Sequence, residues 1–191
     1  MTVQNGQEAD WLRDEHEMWQ ILRRKPGYIV HHLYQAVHER QHRLVYSEWE
    51  SKKALDGARQ LLQNTPLGRR ARAMLTAAPE HLAVELVGPV TSTKGLDLPQ
   101  SAVAMTAVAR LSAPPSGAHE RHDQLGKIMA SQPGHVTHVL FRGFEDPTVV
   151  GAFSHWQDLA ALDTAIASFK SSDPAGVLSE LAYVQYEPLR T

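Results

Sequence analysis

Eleven histidines and no cysteine bound the chemistry open to this chain of 191 residues. Disulfides, thiolate metal sites and cysteine nucleophiles are excluded, which leaves imidazole, carboxylate and aromatic groups. The best candidates come in pairs. Trp49 and Trp156 stand 107 residues apart, as do His31 and His138. A histidine near a tryptophan in a cleft suits a general base or an axial ligand of haem iron, and both stay open. On packing grounds alone, each tryptophan also reads as a core aromatic fixing the start of the next helix.

Two positions at the same offset differ in type. Glu48 precedes Trp49, whereas His155 precedes Trp156; Gln35 is matched by Arg142. His155 is a candidate base for a phenolic proton. Arg142 is a candidate cationic partner for an enolate or phenolate oxygen. With His138 and Trp156 they would place a base, an aromatic wall and a donor in one cleft. The first half offers Glu48, Tyr34 and His31. The second half is therefore expected to hold the more competent site, provided His155 shares a face with His138 and Arg142. Two hairpin registers are considered for the first half. Paired numbers summing to 80 set His31 opposite Trp49, and a sum of 81 sets His32 there.

His38-Glu39-Arg40-Gln41-His42 spells H-E-x-x-H, which binds zinc when both histidines lie on one helix face. Its partner stretch at the 107 offset contains Asp146-Pro147, then Val150-Gly151, a hairpin turn rather than a helix. No metal site is expected. His119 and His122 read as part of a solvated helix face. Phosphate loops, G-x-S-x-G and dinucleotide fingerprints are missing, so no nucleotide cofactor is expected. A formal charge of −2 gives no bulk attraction to nucleic acid or membrane. No apolar run approaches the ~18–20 residues of a membrane span, and nothing at the start reads as a signal peptide, so a cytoplasmic protein is expected.

The elements that would position these groups repeat as well. Apolar periodicity predicts helices over 8–24, 51–63, 66–77 and 118–131. Strands are predicted over 29–37, 43–49, 81–90, 103–111 and 181–188, with a strand, turn and strand around Asp146-Pro147. Pro26 matches Pro133, Gly27 matches Gly134, Ser47 matches Ser154, and Ala54-Leu55 matches Ala161-Leu162. Such self-similarity indicates two copies of one unit, 1–90 and 102–191, joined by a linker at 91–101. The second copy reads β-α-β-β-α-β. The first lacks a good opening strand, for which Thr2-Val3-Gln4 is a short substitute. The fold class is thus α+β, with two ferredoxin-like (split-βαβ) repeats packed as a pseudo-dimeric barrel.

The residues Pro26-Gly27-Tyr28 and Ser47-Glu48-Trp49-Glu50-Ser51, with Pro133-Gly134 and Trp156 in the second copy, resemble the antibiotic biosynthesis monooxygenase family of dimeric α/β-barrel proteins. The resemblance implies that Trp49 and Trp156 lie near a pocket between sheet and helices and shape a flat site. It implies a cofactor-independent monooxygenase or tailoring enzyme acting on a small aromatic, polyketide-type metabolite. No cofactor is then required, because the substrate itself supplies the electrons as a stabilised carbanion. Haem binding or breakdown in the same fold, and a non-catalytic ligand-binding or assembly role, are the alternatives. The expected catalytic residues are His155 and His138. The expected substrate-binding residues are Trp156, Arg142, Trp49, His31 and Tyr34. Further pairing of whole chains into a homodimer is compatible with this reading.

Overall fold

The computed structural model describes residues 1–87, 102–110, 126–172 and 182–189. The expected linker at 91–101 and the His119/His122 pair lie outside them. The chain forms two compact units: residues 1–81 with 188–191, and residues 82–187.

In the first unit, helix α1 (Glu8–Leu22) is followed by the antiparallel strands β1 (Tyr28–Ala36) and β2 (Arg43–Trp49), then α2 (Lys52–Asn64) and α3 (Pro66–Ala73). Helix α1 buries Trp11, Asp14, Glu15, Met18, Trp19 and Leu22. That face leaves the apolar Ile21 exposed and turns two carboxylates inward. Asp14 is matched by Arg70 of α3, whose guanidinium donates to both carboxylate oxygens at 2.5 and 2.7 Å. This fork holds the Asp14 carboxyl below the usual range.

Gly27 closes the turn into β1 with a φ of +80°, where a side chain is strained. A Cβ on Gly27 would also come within 2.6 Å of the Ala54 Cβ. The small pair thus brings the turn against α2, which begins at its N-cap Ser51, where the hydroxyl accepts the Ala54 N–H. Residues 37–42 connect β1 to β2 without a helix, so H-E-x-x-H makes no helical metal face. Thr2 and Val3 form only isolated bridges, to His42 and Leu75.

The second unit contains β3 (Val84–Val87), β4 (Val103–Arg110), helical residues 126–130 (α4), β5 (His135–Gly143), β6 (Val149–Trp156), α5 (Leu159–Ser172) and β7 (Ala182–Pro188). Its strands run in the order β7-β4-β6-β5-β3. The pairings β7–β4–β6–β5 are those of a complete split βαβ. Met129 of α4, Leu162, Ala165 and Phe169 of α5, and Leu140, Ala152 and Trp156 of the sheet form its core.

The boundary between the compact units falls between residues 81 and 82. β3, the last strand of the first copy, pairs with β5 in the second unit. Pro188 and Leu189 belong to the first unit, where the Leu189 N–H donates to the Leu33 carbonyl. The α+β class with two ferredoxin-like halves is the fold found.

Candidate functional site

Sheet parity decides which groups can meet. In β1–β2, His31 faces Ser47, Leu33 faces Val45 and His32 faces Tyr46. Those pairs sum to 78, so neither register considered from the sequence is the one adopted. Trp49 lies opposite Tyr28, because β1 carries an extra residue between Tyr28 and Val30. In a regular strand, residues three apart point to opposite faces; the bulge restores Tyr28 and His31 to the same one.

On that helix-facing side, the Tyr28 hydroxyl lies 2.7 Å from His31 Nδ1. The His31 ring stacks on the Trp19 indole of α1, with centroids 4.0 Å apart and planes 4° from parallel. Trp49 meets Tyr28 edge-on at 5.5 Å and donates its indole N–H to Ser47 Oγ at 3.1 Å. Behind Trp19, the Glu15 carboxylate accepts the indole N–H at 2.8 Å. Tyr28, His31, Ser47 and Trp49 are all half-buried, so the group reaches solvent. Burial, aided by the neighbouring His32, His16 and Arg23, lowers His31 to about 4. Burial raises the Tyr28 hydroxyl. Both are therefore neutral at pH 7. The tautomer with its proton on Nε2 accepts from Tyr28 and leaves an N–H to offer to a ligand oxygen.

The same contacts recur in the second unit. His138 faces Ser154, and β5 has its register shift between His135 and Thr137. His138 Nδ1 lies 3.1 Å from His135 Nε2, and Trp156 donates to Ser154 Oγ at 2.9 Å. His135 meets Trp156 edge-on at 5.2 Å. Two features differ. Trp156 is 0% exposed, with Phe169 edge-on to it. Position 126, which matches Trp19, is glycine, and a Cβ there would come within 2.8 Å of His138 Nε2.

The predicted cleft of His155, Trp156, His138 and Arg142 is not assembled. His155 pairs with Ala104 and Thr137 and meets Phe153 edge-on, on the face opposite Trp156 and Ser154. It is fully buried. Arg142 shares the His138 face but is bound to Glu85 of β3, its register partner. In the first unit, Glu48 and Tyr34 likewise lie on the far face, where the Tyr46 hydroxyl donates to Glu48 at 2.9 Å. His32, partly stacked on Tyr46, is lowered by burial. Trp49 and His31 are brought together.

The sequence reading passed over Tyr28, Glu15, Trp19 and His135. Tyr28 and His135 stand three residues before a histidine at equal offset, a signal concealed by the bulge. Glu15 and Trp19 were available as an i, i+4 pair, but only the packed face of α1 turns them inward.

Residues 1–73 match the antibiotic biosynthesis monooxygenase family. No curated protein matches the sequence. Among solved structures, a protein from Lactobacillus acidophilus designated a monooxygenase is 11% identical, with a TM-score of 0.64, covering 98% of this chain and 90% of that one. An anthrone oxidase-like protein is 17% identical, with a TM-score of 0.61, covering 98% and 89%. A protein designated a chlorite dismutase is 12% identical, with a TM-score of 0.57, covering 99% and 91%. These likenesses establish a shared fold that carries several designated activities, so the chemistry rests on the site. No helix among the described residues is long and apolar enough to cross a membrane. The stretch that matches this family's model, residues 1–73, carries Tyr28, His31 and Trp49.

Proposed function

We propose that the first unit oxidises a flat, phenolic or anthrone-type metabolite with dioxygen, without a cofactor. The observation that supports this is the half-open Tyr28–His31 pair between the indoles of Trp19 and Trp49. Aromatic walls suit a planar substrate. The neutral His31 donates from Nε2 to the substrate oxygen on which charge develops, which favours loss of a proton from the activated carbon to solvent. The carbanion passes an electron to dioxygen, and the resulting radicals combine as a hydroperoxide. Cleavage of its O–O bond releases water. A methylene and one dioxygen thus become a carbonyl and one water.

This reading assigns turnover to the first unit rather than the second, where the residue types alone had favoured it. In the second unit the equivalent tryptophan has no exposed surface. Oxygen-electrode measurements with an anthrone test it. Uptake of one dioxygen per carbonyl formed is expected, falling about a hundredfold in His31→Gln, the loss typical of one oxyanion donor. Uptake unaffected by His31→Gln but abolished by His138→Gln would overturn it. Haem, the alternative ligand, would need a histidine nitrogen; His31 offers Nε2, since Nδ1 contacts Tyr28. A Soret band at stoichiometric haem that is lost in His31→Gln would replace the oxygenase reading.

A further inference from the structure

We infer that Glu15 is a positioning residue for the Tyr28–His31 pair, acting through the Trp19 indole. The catalytic meaning of this inference rests on the reading just given; the physical coupling does not. Glu15 lies on the inward face of α1 with only 7% of its surface exposed. A carboxylate in such a place is costly unless hydrogen-bonded. Its bond from the Trp19 N–H, at 2.8 Å, spans one helical turn. That bond fixes the rotation of the indole. The indole in turn lies flat on His31, within 4° of parallel. The imidazole plane, and hence the aim of Nδ1 at the Tyr28 hydroxyl, is set by this stack.

Nothing equivalent is built among the described residues of the second unit, where Gly126 stands in place of Trp19 and His138 lies close against it. The relay therefore belongs to the half-open site and not to the enclosed one. Burial raises the Glu15 carboxyl to about 7, opposed by the Trp19 bond. Ionised, Glu15 makes a charge-assisted bond that holds the indole more firmly; protonated, it makes a weaker one. The other groups acting on His31 are Tyr28 and His32 from β1, and His16 and Arg23 from α1; Glu48 of β2 acts on His32.

The test is nitrogen-15 NMR of the whole chain from pH 6 to 8.5. The Trp19 indole N–H and the His31 ring signals are expected to inflect together, with a midpoint near 7. Glu15→Gln, which keeps an oxygen acceptor, should abolish the shared inflection, and His16→Gln should retain it. Trp19→Phe keeps a ring on His31 but offers Glu15 no N–H, and should remove the His31 inflection as well. An inflection that survives Glu15→Gln or Trp19→Phe, or none in the wild type, overturns the inference. In turnover, Glu15→Gln is expected to lower kcat about tenfold above pH 7, with KM unchanged, as a charged bond gives way to a neutral one. Shared inflections without oxygen uptake by the wild type would sink the oxygenase reading and leave the coupling standing. Uptake without shared inflections would do the reverse.

Discussion

Burial raises the Glu15 carboxyl from 4.5 to about 7, so between those values the folded chain binds a proton that the unfolded chain has released. Stability is then fully present below pH 4.5 and declines as pH rises through 7. The shift corresponds to roughly 3 kcal/mol. Glu15→Gln has no charge to bury, so its urea midpoint is expected to exceed that of the wild type at pH 8.5 and to approach it at pH 5. A gap between Glu15→Gln and the wild type that does not widen from pH 5 to 8.5 would refute this linkage. His31 acts in the other direction. Its depressed value means that the neutral ring favours folding, an effect lost as pH falls from 6.5 towards 4. At this scale the sequence was half legible. The 107-residue offset exposed His31 and Trp49 because both copies keep those types. Tyr28 escaped because residues three apart on a strand diverge unless a bulge intervenes, and no residue type announces that bulge.

Two glycines of the first unit make opposite predictions. Gly27 has a φ of +80° and no room for a Cβ beside Ala54. Gly27→Ala is expected to destabilise by about 2–4 kcal/mol, from backbone strain together with overpacking. Gly57 sits within α2, and a Cβ there would meet nothing within 4 Å. Gly57→Ala should stabilise by about 0.5–1 kcal/mol, through helix propensity and a less flexible unfolded chain. Thermal denaturation of the two variants checks both, and a shift of the same sign in each would contradict the account. Most elements were legible because their periodicity is local. Ser51 caps α2, as a serine at the start of an apolar helical pattern commonly does. The inward face of α1 was not legible. Asp14 turns inward because Arg70, 56 residues away, meets it, and that pairing exists only after folding.

For the whole molecule, the tryptophans separate packing from ligand contact. Trp156→Ala opens a void in a core with no exposed surface and is expected to cost about 3–5 kcal/mol. Trp49→Ala, at a half-buried position, should cost less stability while weakening binding of a planar aromatic, as read by fluorescence titration. The reverse pattern would place the ligand in the second unit. The α+β order could be read from the chain because the helices and strands carry their own local periodicity. The pairing of β3 with β5 could not, because it depends on which sheet edge each strand reaches. Separate expression of 1–95 and 96–191 would leave β3 without β5, and Leu33 without Leu189.

The return of Pro188 and Leu189 to the first unit also bears on synthesis. The Leu33 carbonyl lies two residues beyond His31 on β1, and its partner N–H is that of Leu189. A ribosome makes β1 before this partner, which follows Leu33 by 156 residues. The half that carries Tyr28, His31 and Trp49 thus waits with an unfinished strand edge until residue 189 has emerged. The second unit, whose described strands all precede residue 189, has every one of its own sheet partners by then. Although most of its residues are translated first, the proposed reactive half is completed after the described strands of the second unit, so a released chain truncated after Pro188 would keep the second unit's sheet pairings and lack the Leu189–Leu33 bond of the first.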